Sequence, residues 1–264
     1  MKSTYTKDIK IYVPAKDNNF LKECLDRINK SKKIYTLWKV INVNAIDRLG
    51  MPDHGIVHFQ IVANIALRLS RILTKNGVIM SAVKDFGLAN KYSEVIIFLA
   101  SVLHDLGMTI SREGHEEFSL ILANEILYKL LKFLPISERT IVASETLHAI
   151  IAHRKNGTPY TLEAGIIRVA DALDMSEGRS RISYEAGNVN IHSISAAAID
   201  NVEIKEGTDK FVQIVITMNN SAGIFQVDEL LKNKLKGSKL EEYVEVIAYV
   251  NKGKEKKLIK SYKI

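Results

Sequence analysis

The most constraining stretch of the chain is Val95-Ile96-Ile97-Phe98-Leu99-Ala100-Ser101-Val102-Leu103, which runs straight into His104-Asp105-Leu106-Gly107. An apolar run of this kind is built for burial, so whatever stands at its end is carried toward the interior. Taking an imidazole and a carboxylate out of water is costly unless something offsets their desolvation. A divalent cation would do so, because neutral imidazole and carboxylate both ligate borderline metals. Further donors of the same kind are spread along the chain: His58 upstream, His115 and His153 downstream, and Asp171 beyond them.

Hydrophobic spacing predicts where these donors sit. Phe20, Leu21, Cys24, Leu25 and Ile28 recur at helical intervals, as do Leu37, Trp38, Ile41 and Ala45. Asp53 is a candidate N-cap for a helix over about 54–73. Stepping back along its stripe from Val62 lands on His58 and then His54, which predicts both histidines on one core-facing side. Gly77 to Asn90 reads as a connection, and the His-Asp helix as about 92–106 with Gly107 placed to end it. Helices over about 115–133 and 137–153 follow. Thr161 then caps a helix carrying Ile166, Ile167, Val169, Ala170, Asp171 and Asp174. The donors therefore fall on several different helices, and helical bundles build metal sites from side chains on facing helices.

The texture changes after Gly178-Arg179-Ser180-Arg181. Alternation appears around Val202 and Ile204 and again over Phe211 to Ile216, with a turn at Glu206-Gly207. A helix is expected over about 225–235, closed by Gly237. A second hairpin is expected from strands near 243–249 and 257–262 around Asn251-Lys252-Gly253. The predicted fold class is mainly α, a helical bundle over 1–187 followed by a small α+β unit over 188–264. The single cysteine, Cys24, has no partner for an internal disulfide and is expected half-buried on its helix. The first residues run into no apolar signal core, and the longest apolar run is broken by Ser101 and His104-Asp105, so a soluble cytoplasmic protein with no membrane segment is expected. The net charge of +7 favours anionic partners. Much of it lies in the tail, at Lys252, Lys254, Lys256, Lys257, Lys260 and Lys263, so charge alone selects no function.

Several blocks carry a more specific signal. Asp53-His54-Gly55-Ile56-Val57-His58 with Ile61-Val62-Ala63-Asn64, then Leu103-His104-Asp105-Leu106-Gly107, then Arg168-Val169-Ala170-Asp171-Ala172-Leu173-Asp174, resemble the HD-domain superfamily of metal-dependent phosphohydrolases. The likeness covers roughly residues 50–180. It implies a helical fold holding one or two divalent ions, with Mn, Fe, Mg, Co and Ni as candidates. By position, His58, His104, Asp105 and Asp171 would hold the first, and a bridging Asp105 with His115 and His153 the second. His148 competes with His153. Five helical residues separate them by about 140°, so both cannot readily face one metal. His153 is preferred because Arg154, Lys155 and Asn156 follow it. Asp174 shares the face of Asp171 and is expected to orient a ligand histidine. His54 is left open between an orienting and a substrate role.

Such a centre lowers the pKa of bound water and screens phosphate oxygens. The expected activity is hydrolysis of a phosphoester or phosphoanhydride of a nucleotide or related small molecule by a metal-activated hydroxide. Cationic side chains would stabilise the charge on phosphorus oxygens. Arg112, Arg154, Lys155, Arg179 and Arg181 lie in loops flanking the ligands and are the candidate phosphate contacts. The catalytic set is thus His104 and Asp105 with Arg154, Lys155 and Arg179. No second His and no Gly-Tyr-Pro sequence follows His153, which points away from the cyclic-dinucleotide phosphodiesterases that carry that motif. Two alternatives come from other classes: a metal-bound nucleotide sensor signalling through the C-terminal unit, and a di-iron site for oxygen chemistry. The C-terminal unit lacks interleaved aromatics, so nucleic acid is not an expected partner. Homodimerisation is left open.

Overall fold

Asn29 ties the extended lead-in to the first helix, its amide bonding both the N–H and the carbonyl of Ile11 at 2.9 Å. The computed structural model describes residues 10–154, 156–175 and 195–251, and the backbone of 262–263. Helix α1 (Asn19–Lys30) is capped by Asn18, whose side chain accepts from the Phe20 and Leu21 amides. Helix α2 (Lys32–Asn42) runs on into a π-helical turn, Val43–Arg48. Then come α3 (Ile56–Lys75), a short α4 (Ser81–Phe86) and α5 (Asn90–Leu103). A 3-10 turn, Leu106–Thr109, leads to α6 (His115–Leu130), α7 (Ile136–Ala152) and α8 (Leu162–Ala172).

Helix α5 is the axis. Val95 to Leu103 are fully buried all the way round, as a helix without a polar face must be. Helices α1, α3, α7 and α8 surround it. Helix α3 is long and apolar enough to cross a membrane by length and composition alone, and in this fold Phe59, Val62, Leu69 and Leu73 on it are fully buried.

Four expectations are corrected. Helix α3 begins at Ile56, so His54 precedes it instead of sharing its face with His58. Asp53 still acts as a cap, its Oδ1 accepting from the Gly55 and His58 amides at 2.9 and 3.3 Å. The segment 77–90 holds α4, whose first amides at Ser81 and Ala82 are accepted by Glu163 at 3.2 and 3.0 Å. That cap comes from a distant helix, so no local motif announces it. Gly107 does not end α5 in a left-handed cap: the helix stops at Leu103, and Gly107 is not among the positive-φ glycines. Its need for no side chain is steric, since a Cβ there would stand 1.9 Å from the His115 carbonyl. Cys24 is fully buried, not half-buried.

The C-terminal strands form one four-stranded sheet in the order β1 (Ile199–Glu206), β2 (Val212–Met218), β3 (Val244–Val250), β4 (Tyr262–Lys263). Strands β1 and β2 pair antiparallel, as expected, through a connection in which the Gly207 amide donates to the Phe211 carbonyl. Strands β3 and β4 pair antiparallel, with Ala248 opposite Tyr262. Lys252 and Gly253 of the expected turn, like the expected boundary at 187/188, lie outside the described residues. Strands β2 and β3 are parallel, which requires a crossover. That crossover carries the expected helix, as a π-helical turn (Gln226–Leu231) continuing into α9 (Lys232–Leu235). The sheet meets α3 through β1 and β2, and the crossover lies on α8. Ile199, Ile204, Ile214, Ile216 and Val246 join the same apolar core as α5.

Two outcomes follow from this packing. Gly107→Ala lowers unfolding stability by about 1–3 kcal/mol or more, because backbone cannot yield as a flexible side chain would; an unchanged urea midpoint would contradict this contact. Burial pushes the Cys24 thiol up to about 12. A thiol-specific disulfide reagent at about pH 8 should therefore leave the native protein unlabelled and react on denaturation. Prompt labelling of the native protein would show that Cys24 is accessible.

Candidate metal centre

The centre gathers where five helix ends meet. His58 is in the first turn of α3, held there by a network in which Asn42 donates to Asp53 Oδ2 at 2.6 Å and accepts from the His54 amide at 3.1 Å. Gly55 lies against Asn42 too closely for a Cβ, which would come 2.6 Å from its amide nitrogen. His104 is the C-terminal cap residue of α5, and Asp105 follows it. The Gly107 amide donates to Ser119 Oγ at 2.8 Å, and that hydroxyl donates to the His115 carbonyl at 2.7 Å, locking the start of α6 against the His-Asp turn. His153 caps α7, and Asp171 stands in the last turn of α8.

The imidazoles share one arrangement. His58 Nδ1 donates to Asp174 Oδ2 at 2.6 Å, and His104 Nδ1 to the Ser101 carbonyl at 2.9 Å. His115 Nδ1 donates to the Arg112 carbonyl at 2.9 Å, and His153 Nδ1 to the Ile150 carbonyl at 2.5 Å. A carbonyl or an ionised carboxylate can only accept, so each contact puts a proton on Nδ1, and in the neutral ring that leaves the Nε2 lone pair for a metal. All four Nε2 atoms turn to the same carboxylate. Asp105 Oδ2 lies 3.7 Å from His58 and 3.5 Å from His104. Its Oδ1 lies 3.2 Å from His115 and 3.7 Å from His153. Asp171 Oδ1 closes the first side at 3.5 Å from His58 and 3.8 Å from His104.

Lone pairs aimed at one another repel, and His58 Nε2 is only 3.1 Å from His104 Nε2. Bonds of about 2.0–2.2 Å to a shared cation at near-tetrahedral or octahedral angles place donors about 3.0–3.5 Å apart. The donor set therefore fits a divalent ion. Three overlapping groups have ligand atoms within 4.8 Å of one another: His58, His104 and Asp171; His104, Asp105 and His153; His115, Glu116 and His153. One or two divalent ions can be held.

Electrostatics prepare the same state at Asp105, Asp171, His104 and His153. At His115, by contrast, burial is outweighed by Asp105 and Glu116, which raise its pKa, so a metal must displace its proton. Burial opposes ionisation of Asp105, but His104 and then His115 outweigh it and hold the carboxyl well below its usual range. Burial likewise opposes ionisation of Asp171, and Lys234 followed by His104 and His153 brings it below the ordinary carboxylate value. Burial, reinforced by His104, pushes His153 down to about 3, and burial lowers His104 as well. Ionised carboxylates and neutral imidazoles are the protonation states that ligate a metal.

His58, His104, Asp105, His115, His153 and Asp171 are thus brought together, and Asp174 takes the expected orienting position on His58. His148 is elsewhere, its Nε2 accepting from the Tyr160 amide at 2.9 Å and its ring stacked on Tyr160. His54 donates from Nδ1 to the Pro52 carbonyl at 2.8 Å, with its ring 5.8 Å from that of His58. The Arg112 guanidinium lies 3.2 Å from both ring nitrogens of His115. Arg154 is exposed and pairs with Glu117 at 2.8 Å. Lys155, Arg179 and Arg181 lie outside the described residues. Sequence reasoning missed two members. Glu116 Oε2 is 3.0 Å from His115 Nδ1, a neighbour that adjacency to His115 could have signalled. Lys234, from the crossover of the C-terminal unit, lies 3.4 Å from Asp171 Oδ2, and nothing in its local sequence distinguishes it from other surface lysines.

A comparison with known families matches the HD domain over residues 55–176. An uncharacterised protein of Methanocaldococcus jannaschii is 44% identical over 230 residues, spanning 87% of this chain and 89% of that protein. The chain belongs to the HD-domain family. With the His/Asp cluster inside the matched span, it is a metal-dependent phosphohydrolase of HD type. No solved structure matches the chain. The HD match includes every candidate ligand and Asp174 but ends before Lys234, whereas the archaeal relative resembles a longer stretch.

Asp174→Ala removes the acceptor that fixes His58. It should weaken Mn(II) binding about 10–100-fold with helical content retained, measured by calorimetry and circular dichroism. Unaltered affinity would mean that Asp174 does not hold the ligand.

Proposed function

We propose that this protein hydrolyses a phosphoester or phosphoanhydride bond of a nucleotide or related small molecule. One observation carries the reading: a single buried carboxylate, Asp105, presents each oxygen to a separate pair of imidazole Nε2 atoms. In this reading His58, His104, Asp105 and Asp171 would hold a first ion, and Asp105, His115 and His153 would hold a second. A divalent ion bound there supplies an acidified water and a Lewis acid for phosphate oxygens. The chain's own residues supply the rest. Asp174 and the Ser101, Arg112 and Ile150 carbonyls keep the four Nε2 atoms aimed inward, so no ligand has to reorganise during turnover. The near-complete burial of His58, His104 and Asp105 excludes bulk water from their side of the centre. Arg112, beside His115, stands where a phosphate oxygen could be met by a guanidinium, which binds such oxygens in bidentate fashion. The overall charge of +7 favours an anionic substrate in the same direction.

The test is release of phosphate or nucleotide from a panel of nucleotides, dinucleoside polyphosphates and bis-p-nitrophenyl phosphate. It is run on metal-stripped protein with Mn, Fe(II), Mg, Co or Ni restored. Turnover should depend on the metal and drop by more than about 100-fold in Asp105→Ala, beyond what loss of an outer partner produces. Tight nucleotide binding without turnover under every metal would replace this reading with that of a sensor.

A further inference from the structure

The crossover of the C-terminal unit is seated on α8 by built contacts. Arg168 donates from one guanidinium nitrogen to the Asn233 carbonyl at 3.1 Å, and from another to the Gly157 carbonyl in the loop after His153. Gly165 lies so close to the crossover's end that a Cβ would stand 1.8 Å from the Ser238 carbonyl. Arg168 and Asp171 are three residues apart and so share one side of α8. The residue after Asn233 is Lys234. Its ammonium donates to the His153 carbonyl and lies 3.4 Å from Asp171 Oδ2.

This places a cation at a partly exposed edge of the centre. The side chains of Lys234 and Asp171 are 18% and 21% exposed, whereas those of His58 and His104 are fully buried. Asp171 presents Oδ1 to the histidines and Oδ2 to Lys234, so the ammonium is on the outer side of the carboxylate. An ammonium has three donors. One is used on His153 and one faces Asp171, and the third has no partner among the described residues. Among the described residues the two other candidate cations are turned elsewhere: Arg112 is against His115, and Arg154 pairs with Glu117 on the surface.

We infer that Lys234 is a substrate-contacting residue, whose ammonium, delivered by the C-terminal unit, binds a phosphate oxygen of a substrate entering beside Asp171. The inference rests on the phosphohydrolase reading above. It makes the C-terminal crossover part of the active site, and it identifies the anionic phosphate group as what the crossover recognises.

The test uses full-length protein loaded with Mn(II), with inorganic phosphate as the probe, read by calorimetry alongside Mn content and thermal midpoint. Lys234→Met should keep the Mn stoichiometry and weaken phosphate binding at least about tenfold, and Lys234→Arg should recover part of that loss. With bis-p-nitrophenyl phosphate the loss should fall mainly on KM. Equal phosphate affinity in wild type and Lys234→Met would overturn the assignment while leaving the phosphohydrolase reading intact. A Mn-loaded wild type that binds no phosphate would overturn both. Should Lys234→Met fail to fold, Lys234→Gln decides by the same comparison.

Discussion

The carboxylate of Asp105, sunk among four imidazoles, is the constraint that the surrounding helices answer to. A buried ion carries an effective penalty of several kcal/mol even after relaxation. Helix α5 can bring it inside because Val95 to Leu103 are fully buried, and each large apolar side chain among them contributes about 1.5–3 kcal/mol. Burial supplies the force but not the geometry. Geometry comes from the ends of α3, α6 and α7, each placed so that its imidazole meets one of the two oxygens, and from the end of α8, whose Asp171 faces His58 and His104. Gly107 and Ser119 show how tight that requirement is, since the His-Asp turn and the start of α6 touch backbone to backbone.

Helix ends also solve a second problem. The last carbonyls of a helix have no intrahelical donor. His104 and His153 follow the final turns of α5 and α7, and their Nδ1 protons go to the carbonyls of Ser101 and Ile150, three residues back. The same bond that satisfies the helix end sets the tautomer and leaves Nε2 free for a cation. Capping and ligation are one feature here, and an imidazole that lost either would lose both.

The C-terminal unit is joined to this arrangement through α8. One face of that helix holds Asp171 toward the histidines, and Arg168 a turn earlier holds the crossover between β2 and β3. A parallel strand pair needs a long connection, and this one spends it on passing over the ligand-bearing helix. Sheet topology and metal centre are therefore linked physically, through a guanidinium and a close glycine contact.

Much of this was legible in the chain itself. The apolar run into His104-Asp105 required a buried His-Asp pair, the stripe through Val62 led back to His58, and the five-residue spacing of His148 and His153 allowed only one to face inward. These are local properties, set by the period of a helix and by the cost of burying polar groups. What local pattern could not supply was decided by contacts between segments distant in sequence. Glu163 caps α4, Gly107 is a glycine because of α6, β3 lies parallel to β2, and Lys234 reaches Asp171 across 63 residues of chain. The sequence by itself determined which histidines and aspartates could ligate and that the His-Asp pair must be buried, because periodicity and desolvation act on neighbours. Only the tertiary structure decided which oxygen of Asp105 each imidazole faces, and which lysine joins them, because those depend on how separate helix ends come to rest against one another.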